Sequence, residues 1–306
     1  MKSLTFHHSL LSDRIRTEGY QRAIVKVIKP GDTVLDVGSG TGILAYLACR
    51  AGAKKVYAVE VREEVVNMAR RVCARNGFQD RIVFINKFSP RVRLPERVDH
   101  IVTETMGNFG LDEGILASMM DARKRLLKKG GSIIPRSIKL WIVPVECPKI
   151  YRKIDFWKSN LYGVDFSPVY TLATHHLYVE ELHRGNFLSE PASLGKIKLL
   201  EVDNPRFSGE VTLTVKRRGV LHGLGGWFSA ELCSGVFLSN QPPNRAKSWK
   251  NIFLPIEHPV PVERGDRLRI KIYSLGFMKE NYVPAWEVSC VRQHKHFAHS
   301  TIFGFL

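Results

Sequence analysis

Val34-Leu35-Asp36-Val37-Gly38-Ser39-Gly40-Thr41-Gly42 is the stretch that decides the fold. A β-branched run ends in an acid and three alternating glycines, and a helical pattern follows over Gly42–Arg50. The glycines let backbone approach a ligand closely, and the new helix offers unpaired N–H groups at its N-terminus. The same alternation continues outward. Lys55–Val59, Arg81–Ile85 and Val98–Thr103 read as strands, Glu63–Arg75 and Asp112–Lys129 as helices, and Ser132–Ile134 opens an extended run. Upstream, Asp13–Lys29 has helical apolar spacing, with Ser12 or Asp13 as cap and Pro30 beyond its end. Strand–helix alternation of this kind predicts a parallel sheet covered on both faces.

The pattern changes after Val145. Residues Cys147–Pro191 are irregular and aromatic-rich. From Lys196 onward come short runs separated by turn signals: Val211–Val215, Gly226–Leu232, Ile252–Pro255, Leu268–Ile272 and Trp286–Val291. Evenly punctuated runs predict antiparallel architecture. The expected fold is therefore an α/β Rossmann-like domain over residues 1–145, followed by an antiparallel β-barrel or sandwich domain over 146–306. At 306 residues, 44% hydrophobic and 25% charged, the composition is ordinarily globular and excludes disordered and collagen-like classes.

Five cysteines, odd in number and widely spaced, suggest neither a disulfide framework nor a zinc site. No signal-peptide-like run opens the chain, and no stretch approaches the ~20 apolar residues that span a bilayer. A soluble, intracellular, cytoplasmic protein is the expectation. The net charge of +17 invites a nucleic-acid reading, but no nucleic-acid motif accompanies it. Of that surplus, +11 falls in the first 145 residues, much of it on predicted helix faces such as Arg123-Lys124-Arg125.

The glycine loop alone is equally a tight strand–helix turn. Two acids sharpen it. Glu60 ends the next strand, where a carboxylate accepts ribose hydroxyls. Asp36 would repel a pyrophosphate but attract a sulfonium and an ammonium, which favours S-adenosyl-L-methionine over a nicotinamide cofactor. After the fourth strand comes Glu104-Thr105-Met106-Gly107-Asn108-Phe109-Gly110-Leu111-Asp112-Glu113. An acid at a helix N-terminus, supporting the dipole, accounts for Glu113, whereas Glu104 sits at the mouth of the sheet. No Asn/Asp/Ser-Pro-Pro-aromatic sequence of amino-group methyltransferases stands there, and Asn240-Gln241-Pro242-Pro243-Asn244 lies too far downstream to serve. Paired carboxylates beside a cationic cofactor suit a guanidinium, which presents a planar fork of donors.

At these residues the chain resembles the protein arginine N-methyltransferase family, class I S-adenosylmethionine-dependent methyltransferases, over nearly its whole length. Val34–Gly42 is similar to the family's cofactor motif, Tyr57–Glu60 to its ribose-binding strand and Glu104–Glu113 to its paired-glutamate hairpin. His222–Phe228 is similar to a barrel strand. Ser239–Trp249, followed by Lys250-Asn251-Ile252-Phe253, resembles the stretch leading into the Thr-His-Trp loop. The resemblance implies Glu104 and Glu113 as catalytic residues, and Arg16, Asp36, Gly38, Gly40, Thr41, Gly42 and Glu60 as cofactor-binding. Arg16 would meet the cofactor's methionine carboxylate, and Met106, Ser248 and Trp249 would line the substrate site, with no metal.

The resemblance also implies an arginine-containing protein or peptide as partner, and a homodimer built through an arm at about 151–188. Four departures from the family pattern stand out. Lys247-Ser248-Trp249 replaces Thr-His-Trp, so the histidine that would bond the acid at Asp13 is gone. Thr105 and Asn108 stand where aromatics are usual, and Pro90 where an adenine-pocket Glu is usual. The aromatic-rich motif upstream of the first helix is missing. Two other functions stay open: a methyltransferase of the same build for a small guanidino compound or another nucleophile, and a catalytically weak scaffold relative. His294 and His296 are expected on one solvated strand face near His299, and His175 and His176 at a surface or interface. Trp227, Phe228 and Trp249 are expected in the barrel core.

Overall fold

In the computed structural model, which describes residues 4–243, 246–278 and 281–302, the first half is built around five parallel strands. They are β1 (Thr33–Val37), β2 (Lys55–Glu60), β3 (Ile82–Asn86), β4 (Val98–Thr103) and β5 (Leu127–Ile134), in the order β3-β2-β1-β4-β5. Every residue of β1 is buried, as a central parallel strand requires. The registers Val37↔Val59 and Val37↔Thr103 bring the C-terminal ends of β1, β2 and β4 level with one another. Helices α1 (Leu4–Ser12), α2 (Arg14–Val27), α3 (Ile43–Arg50), α4 (Glu63–Arg75) and α5 (Ile115–Leu126) complete this half.

Two boundaries differ from the sequence reading. The expected helix Asp112–Lys129 is shorter at both ends. It starts after Gly114, whose φ of 79° ends the hairpin, and it stops where Leu127 pairs with Val98 as β5 begins. Lys128 and Lys129 thus lie on a strand, where Lys128 is ion-paired with Asp99 at 2.8 Å. The expected domain limit at Val145 falls at the end of a strand of the other half: β6 (Ser137–Val145) already pairs antiparallel with β12 (Gly219–Cys233). The architecture changes at Arg136.

The supposedly irregular segment contains two short helices, α6 (Pro148–Asp155) and α7 (Ser167–Thr174). Each opens with a proline in its first turn, and α6 buries Ile150, Tyr151 and Ile154. Eight residues are too few for hydrophobic periodicity to reveal. The short strands β7 (Asn160–Leu161), β8 (Val164–Asp165) and β9 (Tyr178–Glu180) complete this arm. Its inner face shares a small core with Trp227 and Phe253.

The remaining strands are β10 (Ala192–Lys198), β11 (Ser208–Thr214), β13 (Val236–Ser239), β14 (Asn251–Val262), β15 (Arg267–Met278), β16 (Asn281–Cys290) and β17 (Lys295–Ser300). They form two antiparallel sheets, β10-β6-β12-β14-β9 with β13 on β12, and β11-β15-β16-β17. A continuous core runs from the parallel sheet into both, so the cleft between the halves has rigid walls. Trp227, Phe228 and Trp249 are buried in these cores. The C-terminal histidines are not one solvated face. His294 sits in a left-handed turn at φ 51°, and His299 is buried between the Trp286 ring and His175. Burial pushes the His299 imidazole down to about 3.

Candidate active site

Loops leaving β1, β2 and β4 open into a cavity of about 870 Å³. Gly38, Gly40 and Gly42 all adopt left-handed φ (72°, 52° and 87°), the region glycine enters without steric cost. At Gly38 the space is also needed, because a Cβ there would stand 2.8 Å from Thr105 Cγ2. Glu60 turns back onto this loop. Its Oε2 accepts from the Gly40 amide at 3.1 Å, and its Oε1 from the amide and Nε of Arg62 at 3.0 and 3.2 Å.

Asp36 is fully buried beneath the loop, and desolvation raises its carboxyl to about 7. No hydrogen bond of normal geometry reaches either oxygen, although the Ala45 amide offsets part of the burial effect. A buried carboxyl left in that state is a cost that a nearby cation would relieve. Ser39 Oγ and Arg62 Nη1, on two residues that line the cavity, are likewise buried without partners among the described residues. A nucleoside bearing a sulfonium and an α-amino acid fits this set of donors and acceptors.

The opposite wall is assembled from remote segments. Asp13 caps α2, accepting the Arg16 amide at 3.2 Å on Oδ1. Arg16 then grips Glu104 with Nε at 2.9 Å and with a second, shorter bond from Nη2. Both side chains are only 7% exposed, so this is a nearly buried ion pair. The Arg16 guanidinium also lies 5.8 Å from the Trp249 ring centre. Burial drives the Glu104 carboxyl upward and Glu113 adds to the rise, while Arg16 opposes it. Tyr20 fastens the same helix to β4 through its hydroxyl, which donates to Thr103 O at 2.8 Å.

The hairpin from Glu104 to Glu113 is held by Asp112, which accepts the amides of Asn108 and Phe109 at 2.8 and 2.9 Å. Burial raises the Asp112 carboxyl to about 6. Phe109 reaches into the second half against Gly226, where a Cβ would meet its ring at 2.8 Å. Asn240 then bridges both halves, donating to Asn108 O at 2.7 Å and Lys250 O at 2.6 Å while accepting from the Phe228 amide at 2.9 Å. The Asn240–Pro243 segment therefore serves as a clamp for the hairpin; Asn244 lies outside the described residues. Ser248 takes the place of the missing histidine, and its amide and hydroxyl both donate to Asp13 Oδ2, at 2.8 and 2.6 Å.

Of the residues expected from sequence, Arg16, Gly38, Gly40, Thr41, Glu60, Glu104, Glu113, Ser248 and Trp249 line the one cavity. Asp36 and Gly42 support it from behind; Gly42 abuts the Tyr46 ring and precedes the cavity residue Ile43. Met106 is a correction. It is fully buried in the core while its neighbours Thr105 and Gly107 face the cavity. Helix α1, which the sequence does not predict, brings Phe6 and His7 to the cavity, upstream of α2. Phe6-His7-His8, just ahead of the capping Asp13, was the available signal. Arg62 gave none beyond its nearness to Glu60.

Comparison with known proteins matches the arginine methyltransferase oligomerization subdomain over residues 136–281. The ribosomal protein L11 methyltransferase (PrmA) family matches over residues 17–138. Protein arginine N-methyltransferase 6 of Xenopus laevis is 32% identical, covering 85% of this chain and 81% of its own. Arginine N(omega)-methyltransferase of Streptomyces achromogenes subsp. streptozoticus is also 32% identical, over 87% of this chain and 75% of its own. A chain of the Trypanosoma brucei PRMT1 enzyme–prozyme heterotetrameric complex with AdoHcy superposes with a TM-score of 0.88, at 25% identity and 98% coverage of each chain. Fold and site together define a class I S-adenosylmethionine-dependent methyltransferase. The chain belongs to the protein arginine N-methyltransferase family.

Proposed function

We propose that this protein methylates a guanidino nitrogen of arginine in a protein or peptide, using S-adenosyl-L-methionine. The observation that carries the reading is the Arg16–Glu104 pair, in which the carboxylate at the mouth of the sheet already holds a guanidinium by two of its nitrogens. When bound, the cofactor supplies a methyl group activated by its sulfonium. Asp36, Glu60 and the glycine loop would hold it, and Arg16, which lines the same cavity, would meet its carboxylate. Guanidinium is a poor nucleophile because its charge is delocalised and its pKa is about 12.5–13.8. Glu104 and Glu113 draw that charge toward the nitrogens they touch and leave lone-pair character on the third. One carboxylate would accept the proton as the new C–N bond forms and the S–CH3 bond breaks, its electron pair staying on sulfur and S-adenosylhomocysteine departing.

Titration of the cofactor, with transfer of labelled methyl to an arginine peptide and to free L-arginine, tests this. Transfer to peptide is expected. Transfer to free arginine alone would favour the small-molecule reading suggested by the Streptomyces relative's name, and cofactor binding without any transfer would leave a scaffold. The matched oligomerization subdomain supports an oligomer, and we assign a homodimer to the arm, where Phe156, Tyr162, Val164 and Leu172 are exposed apolar groups. Among the described residues no helix is long and apolar enough to cross a membrane, and all five cysteines are free and buried. The free cysteines support a reducing, cytoplasmic location.

A further inference from the structure

We infer that the rim of the cleft selects arginines set among acidic residues, through Lys247 and Lys250. The inference rests on the arginine-methyltransferase reading above and names its substrate class. Ser248 and Trp249 line the cavity, and the lysines that flank them in sequence are both exposed. Neither is free to drift as a loop tip would be. Ser248 is tied to Asp13, the Lys250 amide donates to Asn108 Oδ1 at 2.8 Å, and the Lys250 carbonyl accepts from Asn240. The backbone that carries the two lysines is therefore anchored beside the hairpin that carries Glu104 and Glu113, and their side chains extend from it into solvent. No ion pair to either lysine occurs among the described residues. A third cation, exposed Arg184, reaches the same loop with Nε 3.5 Å from the Pro242 carbonyl.

The acids and cations of this site are thus layered. Glu104 is nearly buried and engaged by Arg16, while both lysines are exposed. A guanidinium inserted toward the glutamates leaves its peptide backbone at the rim. A basic flank would meet like charge there, within a chain whose net charge is +17. An acidic flank would meet two unpartnered ammonium groups. Extended peptide advances roughly 3.3–3.6 Å per residue, so carboxylates two to four positions from the arginine fall within reach of a lysine side chain. Exposed ion pairs are each worth about 1.4- to 5-fold in affinity, giving roughly 2- to 25-fold for both lysines.

The test uses the full chain saturated with S-adenosylhomocysteine and three labelled peptides of equal length, each with one arginine. Glu, Gly or Lys occupies the second to fourth positions on both sides. Fluorescence anisotropy is expected to rank them Glu over Gly over Lys, with the first gap about 2- to 25-fold at low salt and smaller in 0.5 M salt. The double variant K247E/K250E should reverse the order. Equal binding of the Glu and Gly peptides, undetectable binding of the Glu peptide, or an unchanged order in the double variant overturns the inference. Methyl transfer, measured on the same peptides with S-adenosylmethionine, separates the two readings. Lysine-dependent preference without transfer leaves the rim assignment standing and removes the methyltransferase one; equal binding and equal transfer on all three does the reverse.

Discussion

The two walls of the cleft are built by different means. The cofactor wall is largely local: β1, the glycine loop and the start of α3 are consecutive, and Glu60 and Arg62 are added from the end of the neighbouring strand. The wall facing it is a mosaic. Asp13, Arg16, Glu104, Asn108, Asn240 and Ser248 meet through hydrogen bonds that span up to 235 positions of sequence. A local wall is specified by a motif and fails as a binding site. A mosaic wall is specified by tertiary contacts, and its failures are failures of alignment.

The largest effect should come where the mosaic wall touches the reacting group. Glu104→Gln keeps shape but removes a charge and a proton acceptor, and should lower kcat about 10²- to 10⁴-fold in a labelled-methyl assay. Cofactor affinity by calorimetry should change far less. If instead kcat is kept and cofactor affinity collapses, Glu104 belongs to the cofactor wall and the division between the walls is wrong.

On the local wall, Asp36→Asn should weaken cofactor binding by about 10- to 100-fold, since a desolvated carboxylate facing a cation is removed. The same change should stabilise the ligand-free protein. The folded carboxyl titrates near 7, well above its ordinary value, so the native state holds a proton that the unfolded chain has lost. The resulting penalty is full above about pH 7, shrinks as pH falls and vanishes near pH 4. The melting-temperature gap between variant and parent should follow that course. Cofactor affinity of the parent should in turn fall as pH drops below about 7, because the cation needs the ionised form.

Asn240→Ala attacks the mosaic without touching substrate or cofactor. It strips donors from the carbonyls of Asn108 and Lys250 and leaves the buried Phe228 amide unpaired. Each buried group left unsatisfied costs about 1–3 kcal/mol, so a melting temperature several degrees lower is expected. A kcat loss of about tenfold should accompany it, as the hairpin bearing both glutamates loosens. Unchanged kcat in a destabilised protein would show that the hairpin is aligned by Asp112 alone.

The same division explains what the sequence disclosed. The parallel half, the glycine loop and Glu60 were legible because their signals are short-range: alternation of strand and helix, glycines at a turn, an acid at a strand end. Glu104 and Glu113 were legible as a spacing. Asn240 was not, since its value lies in being fully buried between Asn108, Phe228 and Lys250, a relation that no local pattern carries. Met106 was misplaced for a related reason. Glu104, Thr105, Gly107 and Asn108 all line the cavity while Met106 and Phe109 enter the core, so no alternation along the hairpin singles Met106 out and only tertiary packing places it.

Ser248 is where the two kinds of construction can be weighed most finely. In place of a histidine the chain has a hydroxyl, yet the acid at Asp13 still receives two donors, one from the side chain and one from the backbone. The backbone bond survives any substitution that leaves the loop in place. Ser248→Ala should therefore remove only one charge-assisted hydrogen bond, about 1.5–3 kcal/mol at most, with the remaining amide absorbing part of it. The expected readout is a kcat/KM lowered about two- to fivefold, with cofactor affinity held because Asp13 continues to cap α2 through the Arg16 amide. Ser248→Thr, which keeps the hydroxyl, should restore most of the loss. If Ser248→Ala costs as much as Glu104→Gln, the hydroxyl acts in the chemistry itself. If it costs nothing while Asn240→Ala costs tenfold, the rim loop is anchored from the Asn240 side alone.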